Sequence, residues 1–376
     1  MQVYGRTSIS EFMQDRIVYR GLQPFDPSLP RLEEIWSRTS LTEQVVPRKN
    51  EINYARVILQ LLQTCRQQDG AAEITRLVFL GDTRLLDGTA FANLCRVSGW
   101  SGLAFIGSED RQPAAVRVAA EGGDPPIYLS NRWAALEDFD RYCKAQGLAV
   151  GEGAAVVIDM DKTMVGGRGR NGQVIDGARM QAVEETVAGL LGSDFDLAAF
   201  RAVYEPLNQP EFHHFTTDNQ DYLAYICLML GAGLFDFDAL VAKVRLGNMS
   251  TFQEFIDEVE RRRGELGGAL SEIHQEIYGC VRVGDPTPFK AFRRNEYLLT
   301  VGRFGCLDDA APVEKMLAEE IVITQEVRQI AIEWRQRGAL LFGLSDKPDE
   351  ASLPAPAQAE QGYPALHRAL THAVGE

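Results

Sequence analysis

The sequence predicts an α/β fold: a mostly parallel sheet with helices on both faces, joined to a large, mostly helical block. Three observations predict it. Short runs of small and β-branched apolar residues (77–80, 103–107, 154–158 and 339–344) read as fully buried strands, as a sheet covered on both faces requires. Apolar stripes of helical period lie between them. Acidic residues stand just past the ends of two of the runs, where open α/β sheets bind ligands.

Composition sets the bounds. A chain of 376 residues can bury a full core and a second domain. Its 45% hydrophobic and 24% charged residues suit a globular protein without a membrane span. The net charge of −15 argues against a general nucleic-acid or anionic-membrane binder. A few local cations and a metal can still govern one phosphate pocket. Met1 to Arg6 lacks the apolar core of a signal peptide. The six cysteines have no Cys-x-x-Cys spacing, so neither a zinc site nor a disulfide frame is expected, and a reducing cytoplasm is the simplest home.

Taken in order, Ile17-Val18-Tyr19 suggests a short strand, and Pro24, Pro27 and Pro30 mark an extended connection. From Ile52, Ala55, Val57, Ile58, Leu61 and Leu62 form a helical stripe, with Lys49 near its start. A lysine there opposes the helix dipole and calls for an anionic partner. Arg76 to Gly81 is a buried strand followed by Asp82 and, five residues on, Asp87. A helix from Ala90 to Val97 stops at Gly99, the next strand is Leu103 to Gly107, and Ile127 to Asn131 is another. Trp133 to Gly147 reads as an amphipathic helix. Residues 154–163 then read Ala-Ala-Val-Val-Ile-Asp-Met-Asp-Lys-Thr, a buried strand ending in two acids. Alternation along a strand would turn Asp159 and Asp161 to one side, where hard oxygen ligands suit Mg²⁺. Gly166, Gly167, Arg168, Gly169 and Arg170 end the strand.

Residues 164–320 are mostly helical, with stripes in 180–191, 222–234, 252–259 and 270–277. Lys290, Arg293 and Arg294 form a cationic cluster beside Pro286-Thr287-Pro288, either a solvated helix face or an anion-reading loop. His213 and His214, between phenylalanines, read as structural. Thr324 is positioned to cap a helix ending at Gly338, before the strand Ala339–Leu344 and then Ser345-Asp346-Lys347-Pro348. Residues 349–362 read as a loop, and the last fourteen as one short helix or strand.

The Asp-x-Asp-x-Thr after a buried strand resembles the first motif of the haloacid dehalogenase-like phosphohydrolases. Gly81-Asp82 with Asp87 resembles that family's metal-binding motif, and the strand before Ser345 resembles its second motif. The resemblance implies a Rossmann-like core with a large helical cap inserted after the first motif. It also implies a Mg²⁺-dependent phosphatase acting on a small phosphorylated metabolite. In that reading Asp159 is the nucleophile and Asp161 the general acid/base. Asp159, the backbone carbonyl of Asp161, Asp82 and Asp87 hold Mg²⁺. Ser345 and Lys49 bind the phosphoryl group, and Thr163, Lys290, Arg293 and Arg294 bind substrate.

The motifs run in an order the family does not show, since Asp82 and Asp87 precede Asp159. A circular permutation accounts for this, with the core formed by residues 1–163 and 321–376 and the cap by 164–320. Lys347 competes with Lys49 for the lysine's role. A phosphomutase, or a non-catalytic binding protein that keeps the fold, is the alternative.

Overall fold

The computed structural model describes residues 1–39, 46–120 and 123–376, with the backbone alone at 38 and 39. It divides into two compact units, one of residues 1–177 with 300–376 and one of residues 178–299.

Among the described residues, the first unit holds ten strands: β1 (Gln2–Thr7), β2 (Ile17–Val18), β3 (Arg76–Gly81), β4 (Ser101–Gly107), β5 (Val116–Ala119), β6 (Ile127–Ser130), β7 (Ala154–Asp159), β8 (Ile323–Thr324), β9 (Leu340–Leu344) and β10 (Thr371–Gly375). The larger sheet orders them β2-β9-β7-β3-β4-β6-β5. Every neighbouring pair is parallel except β5–β6. It is therefore a mixed sheet, and helices cover both its faces. Parallel pairing sets the C-terminal ends of β9, β7 and β3 side by side, with Asp159 opposite Leu344 and Ile158 opposite Leu80.

One face is closed by the helices Ile52–Gln68 and Leu86–Ser98, whose Tyr54, Ile58, Leu61, Phe91 and Leu94 bury against Leu77, Phe79, Val157 and Phe342 of the strands. The other face is aromatic. Phe105 meets Tyr128 and Trp133, and Phe105 and Tyr128 both meet Phe139 of the helix Leu136–Ala145, which in turn meets Trp334 of the helix Gln325–Gln336. The Trp334 indole donates to Asp140 at 2.7 Å, so this buried aromatic is satisfied and fixes the angle between the two helices. Thr324 stands at the N-cap of that helix, but its hydroxyl makes no cap bond.

A three-stranded sheet, β1-β10-β8, joins the two ends of the described chain, with Gln2 opposite Gly375. Its main-chain ladder ties residues 2–7 to residues 371–375.

The second unit is helical. Its core is built from Val183 and Val187, Phe200 and Tyr204, Leu223 to Met229, Phe252, Phe255 and Phe292. Among the described residues, no helix is long and apolar enough to cross a membrane.

Candidate active site

The site is assembled at the C-terminal edge of the parallel strands. β7 is apolar through Ile158 and turns polar at Asp159, which is 5% exposed. The alternation expected to place Asp159 and Asp161 on one side of a strand does not hold. β7 ends at Asp159, the chain turns, and Lys162 adopts a left-handed conformation with φ 62°. Two bonds back to Met160 O, from Thr163 N and Val165 N, close the turn. Asp161 is half-buried within it.

Beside β7, β3 ends at Gly81 and leads through Asp82 into the helix Leu86–Ser98, so Asp87 sits in that helix's first turn. The carboxylate there accepts from Asp82 N at 3.0 Å, Thr83 N at 2.8 Å and the Thr83 hydroxyl at 2.8 Å. Gly81 is required by this arrangement, because a Cβ on it would stand 2.5 Å from the Asp87 carboxyl carbon. Lys49 arrives from the turn before the helix Ile52–Gln68. Its ammonium lies 2.5 Å from Asp159 Oδ1 and 2.6 Å from Asp87 Oδ1. Thr163, fully buried, donates to Asp159 Oδ2 at 3.2 Å and so fixes the carboxylate's second oxygen.

Arg168 is the contact that sequence reasoning missed. Its Nε donates to Asp82 Oδ2 at 2.6 Å. It lies in the Gly-Gly-Arg-Gly-Arg segment that ends β7's run in the sequence. The loop holding it is firmly anchored. Arg170, with a side chain only 1% exposed, is gripped by Glu109 at 2.7 Å and Glu326 at 2.7 Å. Asn171 donates to the carbonyls of Leu317 and Glu320 and accepts from Val322 N. Glu109 N donates to Arg168 O at 2.8 Å.

Three carboxylates therefore share one buried spot. An oxygen of Asp82, Asp87 and Asp159 each lies within 4.8 Å of the others. One ammonium and one guanidinium do not balance three buried anions. Burial, then the charge of Asp87, raises the Asp82 carboxyl to about 6, even with Arg168 opposing. Burial likewise pushes Asp159 well above the usual carboxylate range, with Lys49 opposing and Asp87 and Asp82 adding to the rise. Asp87 goes the other way. Burial would raise it, but Lys49 and the Thr83 bonds outweigh that and hold it low. Burial would likewise discharge Lys49, and Asp159 and Asp87 outweigh it and keep the ammonium charged. The donor set is hard oxygen at a spot short of positive charge, so the residues fit a divalent cation such as Mg²⁺.

The remaining sequence-selected residues fall in two places. Ser345 follows β9 next to β7, is 1% exposed, and its Oγ accepts from Lys347 N at 3.1 Å. Lys347 is buried in the same loop. Lys290, Arg293 and Arg294 lie in the helical unit. Arg293 is buried there against Asp221 at 2.5 Å and Glu296 at 2.6 Å. Lys290 pairs with Asp285 at 2.8 Å, and Arg294 is exposed. Arg293 thus spends its guanidinium on its own unit's core.

The chain matches no protein-family model, no curated protein sequence and no solved structure. The buried acidic cluster on an α/β core is consistent with a hydrolase-like site able to hold a metal, and it stands on its own geometry.

Proposed function

We propose that this protein is a Mg²⁺-dependent phosphatase of small phosphate esters, working through an aspartyl-phosphate, on a circularly permuted haloacid dehalogenase-like core with a cap drawn from residues 164–320. The observation that carries the reading is the convergence of Lys49, Asp82, Asp87 and Asp159. They come from three separate stretches of the chain and share one buried cluster. The strand order supports it too, since β7 lies between the strands leading to Ser345 and to Asp82.

Phosphoryl transfer needs an in-line nucleophile, neutralised charge and a proton for the leaving group. Asp159 is the nucleophile: Lys49 and Thr163 hold its two oxygens, limiting its rotation before attack. Attack forms the Asp159–phosphorus bond as the ester oxygen leaves. Asp161, half-buried and on the turn after β7, gives that oxygen its proton. It then takes a proton from the water that cleaves the aspartyl-phosphate and restores Asp159. Lys49 and Ser345 bind the phosphoryl oxygens as their charge redistributes. Asp82, Asp87, Asp159 and the backbone carbonyl of Asp161 are the groups that would hold Mg²⁺, which supplies charge neutralisation for the phosphoryl oxygens. Every residue in this scheme lies in the core unit.

The test is phosphate release from a panel of phosphorylated metabolites, with Mg²⁺ and with EDTA. Mg²⁺-dependent release lost in Asp159→Asn supports the reading. No release from any member, with intact protein, favours a binding protein instead.

A further inference from the structure

One buried polar group near the acidic cluster has no hydrogen-bond partner among the described residues. Tyr54 lies in the first turn of the helix Ile52–Gln68, five residues after Lys49, and is 2% exposed. Its ring packs in the core cluster with Ile58, Phe79 and Phe342. Its hydroxyl is buried and makes no hydrogen bond to any described residue. Leaving a buried hydroxyl unpaired costs about 1–3 kcal/mol, and a phenylalanine would pack there without that cost.

The surroundings of the hydroxyl identify what it is for. The charges that act on the phenol are those of Lys49, Asp346, Asp159 and Arg20. Asp346 follows Ser345 and pairs with Arg20 at 2.5 Å, while Arg20 N donates to Lys347 O. The geometry agrees: the Lys49 ammonium lies 5.9 Å from the centre of the Phe79 ring, in the core cluster that also holds Tyr54 and Phe342 of β9, three residues before Ser345. Burial raises its pKa, with Lys49 opposing, so it stays protonated and is a donor at any physiological pH. A donor without an acceptor, beside a group set up to hold oxyanions, is completed by an oxyanion.

We propose that the Tyr54 hydroxyl donates a hydrogen bond to the tetrahedral oxyanion bound between Lys49 and Ser345, a contact made only when ligand is present. This rests on the phosphoryl-transfer reading and adds a third protein group, after Lys49 and Ser345, to the set that binds the phosphoryl oxygens.

The experiment uses the full chain with Mg²⁺ and orthovanadate, a tetrahedral oxyanion that mimics the phosphoryl group. Tyr54→Phe keeps the ring and removes only the hydroxyl. Its ligand-free Tm should equal or exceed that of the wild type, because an unpaired polar group is gone. Its vanadate affinity by calorimetry should fall about tenfold, the loss expected for one hydrogen bond to a charged acceptor. Equal vanadate affinity in the two proteins overturns the proposal. So does a lowered ligand-free Tm, which marks a hydroxyl that holds the free fold together. A wild type that binds no vanadate overturns the phosphoryl-transfer reading, and this proposal falls with it.

Discussion

Asp82→Asn separates what the acidic cluster costs the fold from what it does for a cation. The Asp82 carboxyl is raised from 3.8 to about 6, first by burial and then by Asp87. Each pKa unit corresponds to about 1.4 kcal/mol, so the ionised carboxylate is disfavoured by about 3 kcal/mol in the folded state. Its side chain is 7% exposed, so solvent screening trims this only modestly. An amide still accepts from Arg168, and we expect the metal-free variant to be about 2 kcal/mol more stable at pH 7.5. The sign follows from linkage. A carboxyl raised on folding stabilises below its unfolded pKa, and that contribution is lost as pH rises through about 6. His367 opposes it across the same window. Burial lowers its pKa to about 4, so stability is lost as pH falls from its ordinary range towards that value. The difference between the two proteins isolates Asp82: the variant's advantage should be absent near pH 4 and complete above pH 7. The assay is urea denaturation in EDTA across this range, repeated at pH 7.5 with Mg²⁺. Mg²⁺ should stabilise the wild type as expected for a ligand bound only by the folded state, and the variant much less. A variant less stable than wild type in EDTA, with an undiminished response to Mg²⁺, would refute the reasoning.

Other perturbations test neighbouring contacts. Lys49→Ala leaves Asp87 and Asp159 facing each other, and should cost about 3–5 kcal/mol by urea denaturation. Where circular dichroism shows it folded, it should release almost no phosphate, while Lys347→Ala keeps much of its activity; the reverse ranking would exchange the two lysines' roles. Arg168→Gln removes the guanidinium that competes for Asp82, so calorimetry should show Mg²⁺ binding several-fold tighter, and weaker binding would show Arg168 supporting the cation site instead. Arg170→Met strands Glu109 and Glu326 and should destabilise by about 3–5 kcal/mol in urea denaturation, and a loss under about 1 kcal/mol would show that this pairing does not anchor the loop.

The sequence made the large sheet legible because β3, β4, β7 and β9 are buried on both faces, and burial on both faces writes continuous apolar runs. It hid β1 and β5, and left β10 open between a helix and a strand, for physical reasons. β1 is largely exposed and mixed in polarity, and β5 shows Val116, Arg117 and Val118 to solvent. Pairing of β1 with β10 joins opposite ends of the chain, and no local pattern encodes such a contact. In the site, Lys49 was legible because a cation at a helix start calls for an anion, and the structure gives it Asp159 and Asp87. The partnership of Arg168 and Asp82 was not legible, since a glycine-rich loop has no periodicity to aim a side chain. Nor was the turn at Lys162, whose left-handed backbone breaks the alternation assumed for Asp159 and Asp161.

The central claim is that Asp159 becomes covalently phosphorylated. The most direct measurement is an acid quench during turnover of p-nitrophenyl phosphate with Mg²⁺, followed by mass spectrometry of the peptide containing residues 154–163. The account predicts an acid-stable, hydroxylamine-labile phosphoryl group on Asp159, accumulating further in Asp161→Asn as cleavage slows. Turnover that proceeds with Asp159 unmodified, or a phosphoryl group on another residue, would contradict it.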